Sequence, residues 1–214
     1  LLLLAAPWLL AEYWLAQLTF VLIYAIAGLG LMLLAGFTGQ FSLGHAGFLG
    51  VGAYTQAVLL ASEEWAAARK LPVQAYITHS EVAAVDFFNK KEGLLMAPAY
   101  AVPRMLARAG LTLQDFDFYE IHEAFAAQVL CTLQAWQDKT FCKERLGLAR
   151  PLGKIDPKKL NVTGSSLAAG HPFAATGGRI VATLAKLLAQ KGSGRGLISI
   201  CAAGGQGVVA IVER

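Results

Sequence analysis

No side chain between residues 13 and 62 carries a charge. Glu12 is the only Asp, Glu, Lys or Arg before Glu63, and all 18 Lys and Arg lie from Arg69 onward. A helix crossing a ~30 Å hydrocarbon core needs ~20 apolar residues, and 14–35 alone meets that requirement. Residues 1–10 are too short to span and read as the tail of an earlier helix. Residues 42–61 are apolar but carry Gly44, Gly47, Gly50 and Gly52, as a close-packed membrane helix or a re-entrant segment would. A helical hairpin buried in a soluble core is the alternative, although such helices need a far shorter uncharged stretch.

The whole chain of 214 residues is 56% hydrophobic and 15% charged, against ~25% charged in ordinary soluble domains, which excludes disorder. From residues 62–70 (SEEWAAARK) onward the pattern is that of a soluble α/β domain. The net charge of +4 is spread among the acids and never forms a basic stripe interleaved with aromatics, so nucleic acid is excluded as a partner. Cys131, Cys142 and Cys201 form no CxxC pair, which argues against a disulfide framework or a metal site and fits a reducing cytoplasm. The chain opens at Leu1 without Met or a basic leader, so its apolar start reads as a fragment entered within a hydrophobic element rather than as a signal peptide.

Periodicity predicts an amphipathic helix at 62–70, a strand at 73–78, and a helix at 97–109 closed by Gly110. A strand at 116–121 and a helix at 124–136 follow. Residues 154–159 read as a solvated loop before a strand at 160–162. A helix at 176–190 carries Ile180, Leu184, Leu187 and Leu188 on one face and stops at Gly192. Apolar runs at 197–201 and 208–212 flank a Gly-rich turn, as in a hairpin.

Four clusters place reactive side chains beside small residues: His122-Glu123-Ala124-Phe125, Asn161-Val162-Thr163-Gly164-Ser165-Ser166, Gly170-His171-Pro172-Phe173 with Gly177-Gly178, and Cys201-Ala202-Ala203-Gly204-Gly205-Gln206-Gly207. A lone His beside Pro is ordinarily structural, and a Cys ending a strand is ordinarily a small core hydrophobe. Two His and a Cys at element ends, taken together, are the kind of group that assembles acid/base and nucleophilic chemistry.

In order and spacing, the HEAF, GHP and CAAGGQG boxes resemble the C-terminal domain of thiolases, acyl-CoA acyltransferases that cleave 3-ketoacyl-CoA or run the reverse Claisen condensation. The resemblance covers about 58–214, including AVLLASEEWAAAR. The HEAF box is similar to that of the fatty-acid oxidation subfamily, whereas many thiolases have Asn at the place of His122. By position, the resemblance implies that His171 activates a nucleophilic cysteine and helps bind the thioester oxyanion. His122 would replace the family Asn that positions a water in that oxyanion hole. Cys201 would be the acid/base at the substrate α-carbon and the CoA sulfur, with the backbone N–H of Ala203 in a second oxyanion hole. Ala124 and Phe125 would line the acyl pocket. Neither a cofactor nor a metal is implied, and coenzyme A enters as substrate. The family's acyl-accepting cysteine belongs to an N-terminal half, whereas nothing before Ser62 here contains a cysteine. The pantetheine loop that precedes the AVLL helix in the family is missing as well.

Residues 13–60 instead resemble the N-terminal membrane region of branched-chain amino acid ABC transporter permeases, through G-x-T-G-Q-x-S-L-G-H-A-x-F-x-G-x-G-A-Y. His45 within it reads as a packed polar residue. The two resemblances meet at Ala57-Val58-Leu59-Leu60, which points to a chimera.

The expected architecture is therefore 1–59 as all-α, hydrophobic, membrane-type helices and 60–214 as an α/β thiolase-like C-terminal half, with a mixed sheet between helix layers. The expected function is that of a thiolase-type acyltransferase domain lacking its nucleophile. The alternatives are a permease fragment carrying a passenger domain, and a non-catalytic assembly partner of an intact thiolase. The expected partners are acyl-CoA or CoA, a thiolase N-terminal half or a second copy, and a membrane through residues 14–61, with the α/β domain in the cytoplasm.

Overall fold

A computed structural model describes residues 61–90, 92–171 and 175–214, all belonging to the compact unit Gly52–Arg214. The expected membrane helices within 1–59, and Pro172 and Phe173 of the GHP box, lie outside the described residues. Among the described residues no helix is long and apolar enough to cross a membrane.

The chain first forms helix α1 (Glu63–Ala68), whose cap Ser62 accepts from the Trp65 N–H at 3.2 Å and whose first turn holds Glu63 and Glu64. Strand β1 (Tyr76–Ala84), helix α2 (Ala97–Ala109), strand β2 (Phe118–Ile121), helix α3 (Ala126–Gln137) and helix α4 (Lys139–Glu144) follow. After a 3₁₀ turn at Pro157–Lys159 come the short helix α5 (Ser166–Ala169), helix α6 (Thr176–Lys191), and strands β3 (Arg195–Ala202) and β4 (Gln206–Glu213). Helices α2 and α6 stop where the sequence predicts, at Gly110 (φ 67°) and Gly192 (φ 91°). Pro103 inside α2 cannot donate to the Ala99 carbonyl one turn back, and the Trp136 indole supplies that carbonyl with a donor at 3.3 Å.

The strands form one sheet in the order β1-β4-β3-β2. Strand β4 runs antiparallel to both β1 and β3, whereas β2 and β3 are parallel. The mixed sheet is covered on both faces. Val102, Met105 and Leu106 of α2 and Trp136 of α3 pack with Tyr119, Ile121, Leu197, Val209 and Ile211 on one side. Ile180, Leu184 and Leu188 of α6 pack with Ile198 and Val212 on the other. Of the apolar stripe read from the sequence of 176–190, Ile180, Leu184 and Leu188 seat α6, while Leu187 is half-buried and stands outside that core.

Three expectations need correction. The first strand is not 73–78 but Tyr76–Ala84. Its outer edge is occupied by α2, as Arg104 and Arg108 donate to the Val82 and Ser80 carbonyls at 2.8 and 2.5 Å and pair with Glu81. Polar residues therefore continue the strand. The strand at 160–162 shrinks to a single parallel bridge between Leu160 and Tyr119, because Asn161 turns left-handed (φ 47°). Its side-chain amide takes over the missing ladder, accepting from the Ile121 N–H at 2.9 Å and donating to the Ile121 carbonyl at 3.0 Å. The loop at 154–159 is not wholly solvated either, since Ile155 is buried within it.

Candidate active site

His122 is the residue after β2, and its N–H donates to the Ser199 carbonyl at 2.9 Å, prolonging the parallel ladder. Side chains alternate along a strand. Tyr119 and Ile121 belong to the core under α2 and Phe118 to the core under α6, so Glu120 and His122 fall on the α6 face. His171 comes up to the start of α6, with Nδ1 2.7 Å from Thr176 Oγ1. The two imidazoles meet there, with ring centroids 4.3 Å apart and planes inclined at 45°.

Both rings are electrostatically biased to the neutral form. His122 is 2% exposed. Burial, then the nearby His171 and Arg179, push its pKa down to about 4 against the opposing pull of Glu123. His171 is shifted in the same direction by burial and by Arg179. Glu123 itself is fixed from two sides, accepting from Asn161 Nδ2 at 2.8 Å and from the Leu167 N–H at 3.0 Å.

Cys201 lies near the end of β3, opposite Gly207 across the hairpin. Since β2 and β3 are parallel, their C-terminal ends coincide, and the cysteine box follows Ser199, whose carbonyl receives the His122 N–H. The hairpin is crowded at Gly205 and Gly207, whereas a Cβ on Gly204 would meet open space. The Val85 N–H donates to the Gly205 carbonyl at 2.8 Å. A Cβ on Gly205 (φ 75°) would sit 2.5 Å from the Val85 carbonyl oxygen, and one on Gly207 would sit 2.8 Å from the Pro98 nitrogen. Cys201 is buried, and burial pushes its thiol pKa up despite a backbone hydrogen bond that favours the thiolate. Ala203 is exposed in the turn. Ala124 is half-buried, and Phe125 is 65% exposed as the extended cap of α3.

The structure thus brings His122 and His171 into contact and sets the Cys201–Ala203 box and Ala124–Phe125 at the same end of the β2–β3 pair. The other cysteines stand elsewhere: Cys131 is exposed on α3, and Cys142 on α4 is buried with its thiol against the Ala135 carbonyl. A cavity of about 930 Å³ lined by Leu130, Cys131, Phe141 and Arg145 lies by α3 and α4 and includes none of the sequence-predicted site residues. Among the described residues no cluster of His, Cys, Asp or Glu could hold a metal ion.

Two groups at the site escape the sequence reading. Glu120 is wholly buried with neither carboxylate oxygen hydrogen-bonded. Burial raises its pKa to about 7, with Arg179 opposing and Glu123 adding to the rise. The sole signal was an acid within an otherwise apolar strand. Arg179 carries Nη2 to Ser166 Oγ at 3.0 Å, and Ser166 Oγ is 2.8 Å from His122 Nδ1. Ser166 lay in a cluster the sequence singled out, but its partner did not.

Comparison with known proteins agrees with this geometry. Residues 13–111 match the family described as branched-chain amino acid transport system / permease component, overlapping a second match from residue 71. In the overlap, β1 pairs with β4 and α2 packs on the sheet, as parts of the α/β unit. The 3-ketoacyl-CoA thiolases of a Shewanella strain and of Shewanella pealeana are 46% and 48% identical over 157 residues, covering 73% of this chain and 35% of theirs. A crystal structure of the acetyl-CoA acetyltransferase of Bacillus anthracis superposes with a TM-score of 0.54 at 35% identity, covering 71% of this chain and 33% of that one. The chain spans about a third of the length of the curated relatives it matches. Residues 71–214 match the family described as thiolase, C-terminal domain, and with the paired histidines and the cysteine hairpin in place the chain belongs to the thiolase family.

Proposed function

We propose that residues 60–214 supply the C-terminal half of a thiolase-type acyltransferase site that cleaves 3-ketoacyl-CoA with CoA or runs the reverse condensation. The observation that carries this reading is the pair of imidazoles whose ring centroids lie 4.3 Å apart at the C-terminal end of β2, where burial and Arg179 favour the neutral form of both. A neutral His171 can take the proton of an incoming thiol, and fixed donors can hold the oxyanion that develops when that thiol adds to the thioester carbonyl. His171 and a water positioned by His122 are the proposed donors of that hole, and the Ala203 N–H belongs to a second one. Cys201, with its thiol held protonated by burial, moves a proton to or from the substrate α-carbon and the CoA sulfur. Ala124 and the exposed Phe125 line the acyl pocket. The acyl-accepting cysteine is supplied by a thiolase N-terminal half, since Cys131 and Cys142 are placed away from the histidines.

Thiolysis of acetoacetyl-CoA by the chain, alone and mixed with a thiolase N-terminal half bearing the nucleophile, tests this. The chain alone is expected to be silent, and the mixture active until Cys201→Ala or His171→Ala abolishes turnover. Turnover by the chain alone that Cys201→Ala removes would overturn the division of the site. A stable but inactive mixture would favour the assembly-partner reading.

Residues 14–61 are proposed to hold the chain at a membrane, with the α/β unit on the cytoplasmic side. The uncharged run and the permease match over 13–111 support this; Arg69 and Lys70 flank the run in the sense of the positive-inside tendency. Release of the full chain by carbonate washing without detergent would count against it.

A further inference from the structure

Behind His122 stand two side chains that the proposed chemistry does not use. Arg179 Nη2 donates to Ser166 Oγ at 3.0 Å, and the same oxygen is 2.8 Å from His122 Nδ1. A guanidinium has donors only, so this contact occupies one lone pair of the hydroxyl and leaves its single proton to be directed elsewhere. Ser166 is 5% exposed, and among the described residues its Oγ has polar contacts with Arg179 and His122. If Nδ1 carried the ring proton it would claim the remaining lone pair and leave the buried hydroxyl proton without an acceptor. If Nδ1 is bare, the hydroxyl donates to it, and the hydroxyl and the ring nitrogen are both satisfied. Donation from Arg179 also polarises the hydroxyl, making it the better donor.

We propose that Arg179 and Ser166 are positioning residues that lock His122 in its neutral Nε2–H form, so that the ring presents one fixed hydrogen-bond donor to the water of the oxyanion hole. The lock rests on the acyltransferase reading for what Nε2–H serves, and on the geometry alone for its existence. The charged and titratable groups around the ring are His171 at the start of α6, Arg179 on α6, Glu123 after β2, and Glu120 on the same face of β2. Arg179 and His171 oppose a second proton on His122 and Glu123 favours one, while burial outweighs both. The two histidines then divide the work: His171 is the base, and His122 is a donor that never titrates in use.

Ring-nitrogen NMR on the full 214-residue chain labelled with ¹⁵N-histidine tests the lock, with the His122 signals assigned by their loss in His122→Asn. The expected spectrum has Nδ1 in the unprotonated range and Nε2 in the protonated range from pH 8 down to about 5. Ser166→Ala and Arg179→Met, which removes the donor, should give a tautomer mixture, and Ser166→Thr, which keeps the hydroxyl, should restore the single form. Nδ1–H in the wild type, or an unchanged His122 spectrum in Ser166→Ala, would overturn the proposal. If Ser166→Ala fails to fold, the wild-type tautomer decides. The spectrum is read without substrate, so an expected tautomer with no turnover in the complemented mixture would overturn the acyltransferase reading and leave the lock standing.

Discussion

The histidine end and the cysteine end of the site are built by opposite means. His122 is held by side chains: Ser166 and Arg179 behind its ring, with Asn161 and Glu123 beside its backbone. Cys201 is held by backbone, in a hairpin turn whose glycines press against Val85 and Pro98. A side-chain framework lets electrostatics be tuned one group at a time, whereas a backbone framework allows almost no substitution and fixes position. On the proposed reading, the residue that needs a set tautomer sits in the first, and the residue that needs a set place sits in the second.

The largest expected effect breaks the backbone framework. Gly205→Ala must bring a Cβ within 2.5 Å of the Val85 oxygen at φ 75°. It is expected to cost about 4 kcal/mol, read as lost hydrogen-exchange protection in β3 and β4. Asn161→Ala attacks the other end. It removes bonds to the Ile121 N–H, the Ile121 carbonyl and Glu123, and should cost about 3 kcal/mol by the same measurement.

The pH dependence of stability separates the frameworks more finely. Glu120 has a folded pKa of about 7, above its ordinary 4.5, so the folded state holds its proton more tightly. Its contribution is complete below pH 4.5 and lost as pH rises through 7. His122 has a folded pKa of about 4, below its ordinary 6.5. Its contribution is complete above pH 6.5 and lost as pH falls through 4. The two slopes oppose one another in the wild type. Glu120→Gln should leave stability rising from pH 4 to 6.5, and His122→Asn should leave it falling from 4.5 to 7, each by on the order of 2 kcal/mol. Unchanged profiles in both variants would show that neither group titrates as its surroundings dictate. The smallest effect is expected for Phe125→Ser. At 65% exposure it should move stability by no more than about 0.5 kcal/mol, while lowering turnover with longer acyl chains in the complemented enzyme.

Much of this contrast was legible in the sequence, and for identifiable reasons. Gly110 and Gly192 mark helix ends because glycine readily accepts the left-handed turn, and the glycines around 204–207 declare a hairpin because Gly204 and Gly205 take positive φ and a Cβ on Gly205 or Gly207 would collide with neighbouring backbone. The CAAGGQG box marks the cysteine hairpin in the sequence, since backbone position there follows from chain order. The histidine end was half legible. Nothing in the spacing of Ser166 and Arg179 announces that a one-turn helix and the start of α6 bring both against His122. A buried, unpartnered Glu120 contradicts the rule by which acids are read as surface. Helix α4 escaped notice because its signal is a single capping residue, Asp138, which accepts from the Phe141 N–H at 2.6 Å.

The arginines beside β1 and the amide of Asn161 beside β2 have a joint consequence. A sheet's two outer strands ordinarily offer unpaired carbonyls and N–H groups on which a foreign strand can grow. Here Arg104 and Arg108 occupy carbonyls on one border, and a single asparagine occupies both polar groups of Ile121 on the other. At those positions a foreign strand finds its backbone partners already taken, so extension of the sheet is disfavoured there and association is directed toward the helices, loops and apolar faces of the unit.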